Sequence, residues 1–354
     1  MSELRINNIT DRAGSSGPII AGVSTVASTS HMVMPSGPTE MRGGRGRGIA
    51  AGGEGPAYLS SMDFVEIAST GNATDFGDMS QAKRNLTGAS SSTRGVILGG
   101  TIPSSPNFAS KNIEFTTISS AGGTNDFGDL VGGNAKDCAG VTSDIRGFVC
   151  GGTEQSTYGN YGNSIEFVTI ASTGDSTEFG DLAHPGKQLN AGCESPTRGI
   201  ILGGYRGNTT ADSVTTNTIQ FIIFATQGNS ELFGNLTQSA RNVSAVSDQT
   251  RGVRMGGYTE PSNAFTDTID FITMASEGNA TDFGNLSESK LNAAPTQNTT
   301  RGLFMGGANP SAAVNVIEFI TIQSAGNSTD FGDLLAVRAS VPAGMCDINA
   351  SNSG

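Results

Sequence analysis

The sequence contains no tryptophan, only two histidines (His31 and His184) and only four cysteines. Two histidines leave little material for general acid–base chemistry. The cysteines are irregularly spaced and form no CxxC pair, which excludes a zinc motif and a disulfide-rich scaffold and favours a reducing site of synthesis. We therefore expect no enzyme activity, no catalytic residue, no metal ligand and no cofactor.

Charge is also scarce, and basic charge is the scarcer sign. Charged residues make up 15% of the chain, with 20 basic against 32 acidic residues and a net charge of −12. A duplex-binding protein needs a basic surface, so a nucleic acid partner is excluded. The apolar runs fall short of the ~18 residues of a membrane helix. The first residues, MSELRINNITDR, lack the apolar core of a secretory signal. We expect synthesis in a cytoplasm and no membrane insertion.

Glycine is abundant, with 50 residues, and it marks an internal repeat. Six times an Arg-Gly begins a short apolar run that ends in Gly-Gly. The six arginines are Arg47, Arg94, Arg146, Arg198, Arg251 and Arg301. Their spacings are 47, 52, 52, 53 and 50 residues. A second apolar run such as IEFVTI and then a Phe-Gly follow in every copy. A repeat of about fifty residues therefore extends from residue 47 to residue 350.

Each repeat reads as four short strands, here lettered a to d. The runs alternate apolar and polar residues and are rich in Ile, Val, Thr and Phe, and no helix-forming stretch interrupts them. In one copy strand a lies near Arg84, b is RGVILGG, c is NIEFTTI and d surrounds NDFGDL. A four-stranded unit cannot bury both of its faces alone, so neighbouring units must stack. Six sheets arranged radially satisfy this requirement, and the sequence predicts an all-β fold.

The C-terminal segment carries a strand that has no unit of its own. After Phe331 the sequence LLAVRASVPAGMCDINAS aligns with strand a of the other copies, but no Arg-Gly follows it. The first copy, which begins at Arg47, has no comparable strand a before it. We therefore predict that residues 336–350 supply the inner strand of the first unit and join the two ends of the array.

The repeat resembles the kelch repeat, which is similar in length, ends its second strand with Gly-Gly and has an aromatic residue in its fourth strand. Phe replaces Trp here. The basic residue that enters each kelch unit is matched by Arg84, Lys136, Arg241 and Arg338, whereas Gln188 and Leu291 stand in the remaining two copies. The resemblance implies a six-bladed kelch-like β-propeller over residues 47–354, preceded by an extended arm, residues 1–46.

Variation in length is confined to the loop between strands b and c. This loop has 8, 12, 12, 14, 11 and 9 residues in the six copies, and it holds all five tyrosines of the chain. Variable aromatic loops on a rigid scaffold are typical of a recognition surface. The candidate binding residues are Tyr58, Phe108, Tyr158, Tyr161, Tyr205, Arg206, Tyr258 and Phe265. The alternative, that these loops only cover the edges of the sheets, stays open.

Residues 1–46 do not belong to the repeat. They are rich in Ser, Gly and Thr and include the short apolar pieces PIIAGV and HMVMP, which are too small to fold alone. We expect such pieces to pair with another chain or another subunit, so that the arm anchors or oligomerises the protein.

This arm resembles the leader of marine cyanophage virion proteins, and IEFVTIASTGNATDFGDL resembles phage-encoded propeller arrays. The resemblance implies a non-enzymatic virion structural protein on a tail fibre, baseplate or capsid exterior. Its partners are then other virion proteins, contacted through residues 1–46, and a host-surface glycan. A homo-oligomer is expected, and a trimer is one such arrangement. A purely architectural joint or decoration protein, and a carbohydrate-active enzyme, are the alternatives.

Acidic residues recur at three positions of the repeat, illustrated by Glu114, Asp126 and Asp129 in the second copy. The fourth copy replaces all three, with Gln220, Leu232 and Asn235. Because a catalytic site does not need six near-identical copies, we expect these carboxylates to cap turns and to pair with the recurring arginines. Calcium binding by the GNATDFGD loops stays an open alternative, although the spacing does not match an EF-hand.

Overall fold

The structure is a computed structural model that describes residues 46–103, 109–132, 134–154, 161–184, 190–207, 214–340 and 342–347. The predicted N-terminal arm lies outside these residues except for Gly46. Throughout the described ranges the regular structure is β-strand, with no helix. Accordingly, no helix able to span a membrane occurs within them.

The described residues form thirty strands, most of them four to six residues long. The first twelve are β1 (Arg47–Ala51), β2 (Ser61–Glu66), β3 (Thr74–Asp78), β4 (Thr87–Ser90), β5 (Arg94–Leu98), β6 (Asn112–Thr117), β7 (Asn125–Asp129), β8 (Asn134–Lys136), β9 (Ala139–Thr142), β10 (Arg146–Glu154), β11 (Tyr161–Thr169) and β12 (Thr177–Asp181). The next six are β13 (Ala191–Glu194), β14 (Arg198–Leu202), β15 (Tyr205–Arg206), β16 (Val214–Thr215), β17 (Thr218–Ile223) and β18 (Glu231–Asn235). The remaining twelve are β19 (Ala240–Arg241), β20 (Ser244–Ser247), β21 (Arg251–Met255), β22 (Tyr258–Thr259), β23 (Ala264–Phe265), β24 (Thr268–Thr273), β25 (Thr281–Asn285), β26 (Ala294–Gln297), β27 (Arg301–Met305), β28 (Val316–Thr321), β29 (Thr329–Asp333) and β30 (Ala343–Cys346).

In the described residues the longer strands form one antiparallel sheet for each repeat, with four strands as the sequence predicts, and the third sheet has a fifth strand because β8 also pairs with β10. In the second sheet the order is β4-β5-β6-β7, which are strands a, b, c and d, and the third to sixth sheets repeat this order. The first sheet takes its strand a from the other end of the chain. Its order is β3-β2-β1-β30, with Ile49 opposite Met345. The predicted pairing of the C-terminal segment with the first unit is therefore present.

The Gly-Gly pair ends strand b by redirecting the backbone. Gly99 and Gly100 have φ values of 67° and 103°, and the other five pairs are also in this left-handed region, which side chains disfavour. The chain then enters a small second sheet beside the main one. In the second copy Thr101 bridges both Arg84 and Ala109, and in the fifth copy β22 pairs with β19 and β23. The described parts of the b–c loops thus form short ribbons.

The hydrophobic core lies between consecutive sheets. Each cluster joins side chains of one sheet to side chains of the next, as where Phe304 and Ile320 meet Val253 and Phe283. One such cluster joins the sixth sheet to the first, through Leu303, Phe331 and Ile67 among others. The c-strand and d-strand phenylalanines meet edge to face, with ring centroids 6.0 Å apart in five sheets. The a strands contact those of neighbouring sheets, and β30 contacts both β26 and β4. This arrangement is consistent with a propeller.

Candidate functional site

The loop face, defined here as the end of the sheets that carries the b–c loops and the d-to-a connections, holds the predicted tyrosines. Two arginines from the d-to-a connections lie over their rings. The Arg84 guanidinium is 4.7 Å from the ring centroid of Tyr58, and that of Arg241 is 4.6 Å from Tyr205 and 4.7 Å from Tyr258. Each arginine therefore joins loops that belong to neighbouring repeats. A cation–π contact at such a partly exposed site contributes about 0.5–1 kcal/mol.

Carboxylates hold both arginines in place. Arg84 forms an ion pair with Glu54, which also accepts a hydrogen bond of 2.9 Å from the Ser340 hydroxyl. Arg241 Nη1 lies 3.0 Å from Glu260 Oε1. Because these groups are between a fifth and a third exposed, the pairs fix geometry more than they add stability. The loop face is a set of mutually fixed ribbons.

Tyr205 and Tyr258 share one arginine, and Phe265 packs edge to face on Tyr258 with a centroid distance of 5.9 Å. All three aromatic side chains are half-buried, whereas Arg206 in β15 is exposed. Arg206 lies opposite Val214, which is also exposed. The loops of the fourth and fifth copies together form a continuous aromatic and cationic patch, which we call the Tyr205 patch.

The structure brings together only part of the predicted set. Tyr58 stands apart from the Tyr205 patch, beneath Arg84. Phe108 and Tyr158 lie outside the described residues. Tyr161 begins β11, and its side chain lies outside the described part. Arg84 and Arg241 were known from the sequence only as recurring basic residues. Each of them comes immediately before an Asn with positive φ (Asn85 and Asn242), so the Arg-Asn dipeptide is the feature of the sequence that identifies this position.

The space between the a strands is too small for an organic ligand. Two cavities there have volumes of about 60 Å³ each, room for a few waters, whereas ligand pockets measure roughly 300–1,000 Å³. The small size follows from close backbone approach, since a Cβ on Gly344 would stand 1.6 Å from the carbonyl oxygen of Pro295. The Asn190 side chain lines the cavity nearer the loop face, and its amide atoms have no hydrogen-bond partner among the described residues.

The other cavity is bordered by Glu194 at the end of β13. Its carboxylate accepts a 3.3 Å hydrogen bond from Gln297 Nε2 and another from the backbone N–H of Thr142. Burial raises the pKa of the Glu194 carboxyl to about 8, and these two hydrogen bonds only partly oppose the rise. This group therefore takes up or releases a proton near neutral pH inside the fold.

The arginines that begin the b strands are structural. Each guanidinium lies 4.3–4.7 Å from the ring centroid of the c-strand Phe in its own sheet. Several also donate to a carbonyl oxygen of the next sheet, as Arg94 Nη1 does to Ile170 at 3.0 Å. The expectation that arginines pair with the recurring carboxylates is met by Arg338 and Asp63. Among the described residues, however, the arginines that begin the b strands show no such pair, and the ion pair of Arg47 is with Glu66, which is not a recurring position. An aromatic ring adjoins each guanidinium because cross-strand neighbours share a face of the sheet.

Four of the five c-strand carboxylates are instead buried in ion pairs with other cations. Glu114 lies 2.7 Å from Lys83 Nζ, and the corresponding pairs are Glu318 with Lys290 at 2.6 Å, Asp63 with Arg338 at 3.1 Å, and Asp270 with Arg254. Burial alone would raise the pKa of the Glu114 carboxyl. The Lys83 ammonium and hydrogen bonds from Thr124 and Ser80 outweigh burial, so that pKa lies below its ordinary value.

Metal binding and thiol chemistry have no supporting arrangement among the described residues. Across the described ranges no three His, Cys, Asp or Glu side chains are grouped to hold a metal ion. The four cysteines are buried and unpaired, and burial raises the pKa of the Cys150 thiol to about 12. In the GNATDFGD loops, Asn and Asp side chains cap the neighbouring d strand. Asn72 Oδ1, for example, accepts a 3.1 Å hydrogen bond from the backbone N–H of Asp333.

These features are the grounds for a functional assignment, because sequence comparison adds none. No family model matches the chain, and no curated protein matches it.

Proposed function

We propose that the six sheets are the blades of a kelch-like β-propeller, with the first blade completed by β30. Contacts between the sixth and first sheets support this. Arg301 donates to the carbonyl oxygen of Ile67 at 3.1 Å, and the Gly71 N–H donates to that of Phe331 at 2.8 Å. The same two contacts recur between successive sheets, for instance from Arg47 to Ile118 and from Gly122 to Phe76. The sixth-to-first interface is thus equivalent to the others.

We propose further that the protein is a non-enzymatic structural protein of a phage virion, and that its loop face contacts the host surface through a glycan. One observation carries this proposal. Nearly all length variation falls in loops whose described parts form ribbons at one end of the sheets, and two of these loops meet in the Tyr205 patch. Tyrosines and an exposed arginine on rigid ribbons bind with little loss of conformational entropy. Aromatic faces and guanidinium donors suit the C–H faces and hydroxyl groups of a sugar.

The geometry also supports an anchor at the opposite end. β1 starts at Arg47 on the end away from the loop face, because its b–c loop follows Ala51. The chain therefore enters the first sheet on the far side from the Tyr205 patch. This separation suits an arm that attaches or oligomerises the protein on a virion while the propeller presents its loops outward.

A purely architectural joint is the second candidate, and a specific observation favours it. The rings of Tyr58, Tyr205 and Tyr258 are half-buried beneath Arg84 and Arg241. Rings fixed in this way stabilise the loops themselves. In that case the loop face meets another virion subunit rather than a glycan.

A glycan array probed with the isolated protein tests the proposal, using Tyr205→Ala and Arg206→Ala as variants. Thr273→Ala, an exposed change at the opposite end, is the matched control. We expect a bound glycan class, a loss of at least tenfold in affinity for the two variants, and no change for the control. A cryo-EM map of the particle in which the Tyr205 patch is buried against another subunit would instead favour the architectural joint.

A further inference from the structure

The third sheet contains a buried carboxylate that lacks the cation found in its counterparts. Glu166 is 2% exposed. Its Oε2 accepts a hydrogen bond from the Ser176 hydroxyl, whereas its Oε1 has no hydrogen-bond partner and forms no ion pair with any described residue. An unpaired buried carboxylate is strongly unfavourable. Its charge requires a partner that the fold itself does not provide.

Strand pairing identifies the position from which the cation is missing. A lysine or arginine neutralises each of Asp63, Glu114 and Glu318. In each case it stands immediately before the residue that forms a β-bridge to the b–c loop. In the second sheet Arg84 bridges to Thr101, so the cation is Lys83. In the third sheet Lys136 pairs with Thr153, which makes Ala135 the counterpart of Lys83.

Two other sheets differ at the carboxylate or at its cation, and each avoids an unpaired buried charge. The fifth sheet has Ala240 in place of the lysine, but Arg254 on the neighbouring strand pairs with Asp270 instead. Val149 takes the place of Arg254 in the third sheet. The fourth sheet replaces the carboxylate with Gln220, which needs no cation. Among the five acidic copies, Glu166 therefore stands where neither internal source of positive charge is encoded.

The surroundings of Glu166 are suited to a cation. In the first and fifth sheets the guanidinium also donates to two carbonyl oxygens, those of Gly52 and Ser61 for Arg338 and those of Gly256 and Thr268 for Arg254. The register assigns the equivalent carbonyls in the third sheet to Gly151 and Ser164. An ideal Cβ on Gly132 would lie 1.9 Å from Glu166 Oε1 and 3.5 Å from Ser164 Oγ, so these two side-chain oxygens lie near each other beside Gly132.

We propose that the third sheet binds a monovalent inorganic cation, of the K⁺, Na⁺ or NH₄⁺ class, between Glu166 Oε1 and the backbone oxygens that face the arginine in other copies. The charge balance sets the class, since one carboxylate needs one positive charge, which a single lysine or arginine supplies in the other copies. A divalent ion prefers six to eight oxygens and more than one carboxylate. The site is a structural one, and it neutralises a buried charge in the sheet.

The test measures the melting temperature in KCl, NaCl and NH₄Cl, with tetramethylammonium chloride, whose cation is too bulky for the site, keeping ionic strength constant. We expect a saturable rise of about 1–3 °C for at least one small cation. Ala135→Lys supplies an internal ammonium and Glu166→Gln removes the charge, so both variants should lose the response. Glu178→Gln, an exposed change opposite Glu166, should keep it.

A wild-type protein that responds to small cations no more than the two variants do would overturn the proposal. If a variant fails to fold, thallium(I) soaked into wild-type crystals decides. Anomalous density beside Glu166 Oε1 supports the site, and its absence at saturating thallium(I) overturns it.

Discussion

Arg301 in β27 donates from Nη1 to the carbonyl oxygen of Ile67, which lies 3.1 Å away and 234 positions earlier in the chain. The same guanidinium stacks at 4.6 Å on Phe319 and donates to Ala68 at 3.0 Å. One side chain thus connects the sixth sheet to the first.

Arg301→Ala should reduce the free energy of unfolding by about 1–3 kcal/mol, because it removes a cation–π contact and two charge-assisted hydrogen bonds. Arg301→Lys should recover little of this loss, since an ammonium cannot stack and donate as a planar guanidinium does. Urea unfolding measures both. Arg206→Ala, at an exposed site, serves as the control, and equal losses for Arg206→Ala and Arg301→Ala would contradict the role assigned to Arg301.

Removal of β30 should disrupt the first sheet. Deletion of residues 342–354 leaves the inner edge of β1 unpaired and exposes the core side chains that Met345 covers. We expect loss of hydrogen-exchange protection in β1 and β2, followed by aggregation through the free edge. Deletion of residues 348–354 alone retains β30 and is the matched control. Unchanged protection in β1 after the longer deletion would show that β30 is dispensable.

The buried pair of Lys83 and Glu114 should be costly to break from one side. Lys83→Ala leaves Glu114 buried without a cation and should destabilise the protein by about 3–5 kcal/mol. Lys83→Met combined with Glu114→Gln should be much less harmful, because it leaves no unpaired charge. A double-mutant cycle by chemical denaturation measures the coupling, and simple additivity of the two changes would refute it.

Stability should fall as the pH rises toward 8. Glu194 has a pKa of about 8 in the fold, whereas the ordinary value is 4.5. Between these values the unfolded state binds fewer protons than the folded state, so the stability contributed by protonated Glu194 is lost as the pH rises. Asp137 acts in the same direction only up to its raised pKa of about 6. The window from about pH 6 to pH 8 therefore reports on Glu194.

Glu194→Gln should flatten this dependence, because the amide does not ionise. In the wild type the loss should approach about 2–3 kcal/mol across that window, at about 1.4 kcal/mol per pH unit. Denaturant midpoints measured through the window provide the test. A wild-type slope equal to that of the variant would mean that Glu194 is ionised throughout, contrary to its burial.

The strands were readable from the sequence because six copies average out local ambiguity, and the segment around Met345 was recognisable by its register. The buried ion pairs were not readable from the sequence. By sequence, Arg338 is grouped with Arg84 as the basic residue that enters a unit, whereas strand pairing places Arg338 with Lys83. Nor does composition show that the arginine that begins strand b faces a phenylalanine rather than a carboxylate. That choice depends on which cross-strand neighbour shares its face.

The pairing of β1 with β30 also has a consequence for biosynthesis. The ribosome completes β1 nearly 300 residues before it reaches Ala343, a delay of roughly 15–60 s at about 5–20 residues per second. During this time the later sheets can form beside one another as they emerge, while β1 keeps an unpaired edge. Synthesis of β30 therefore ends the exposure of the β1 edge to intermolecular strand pairing.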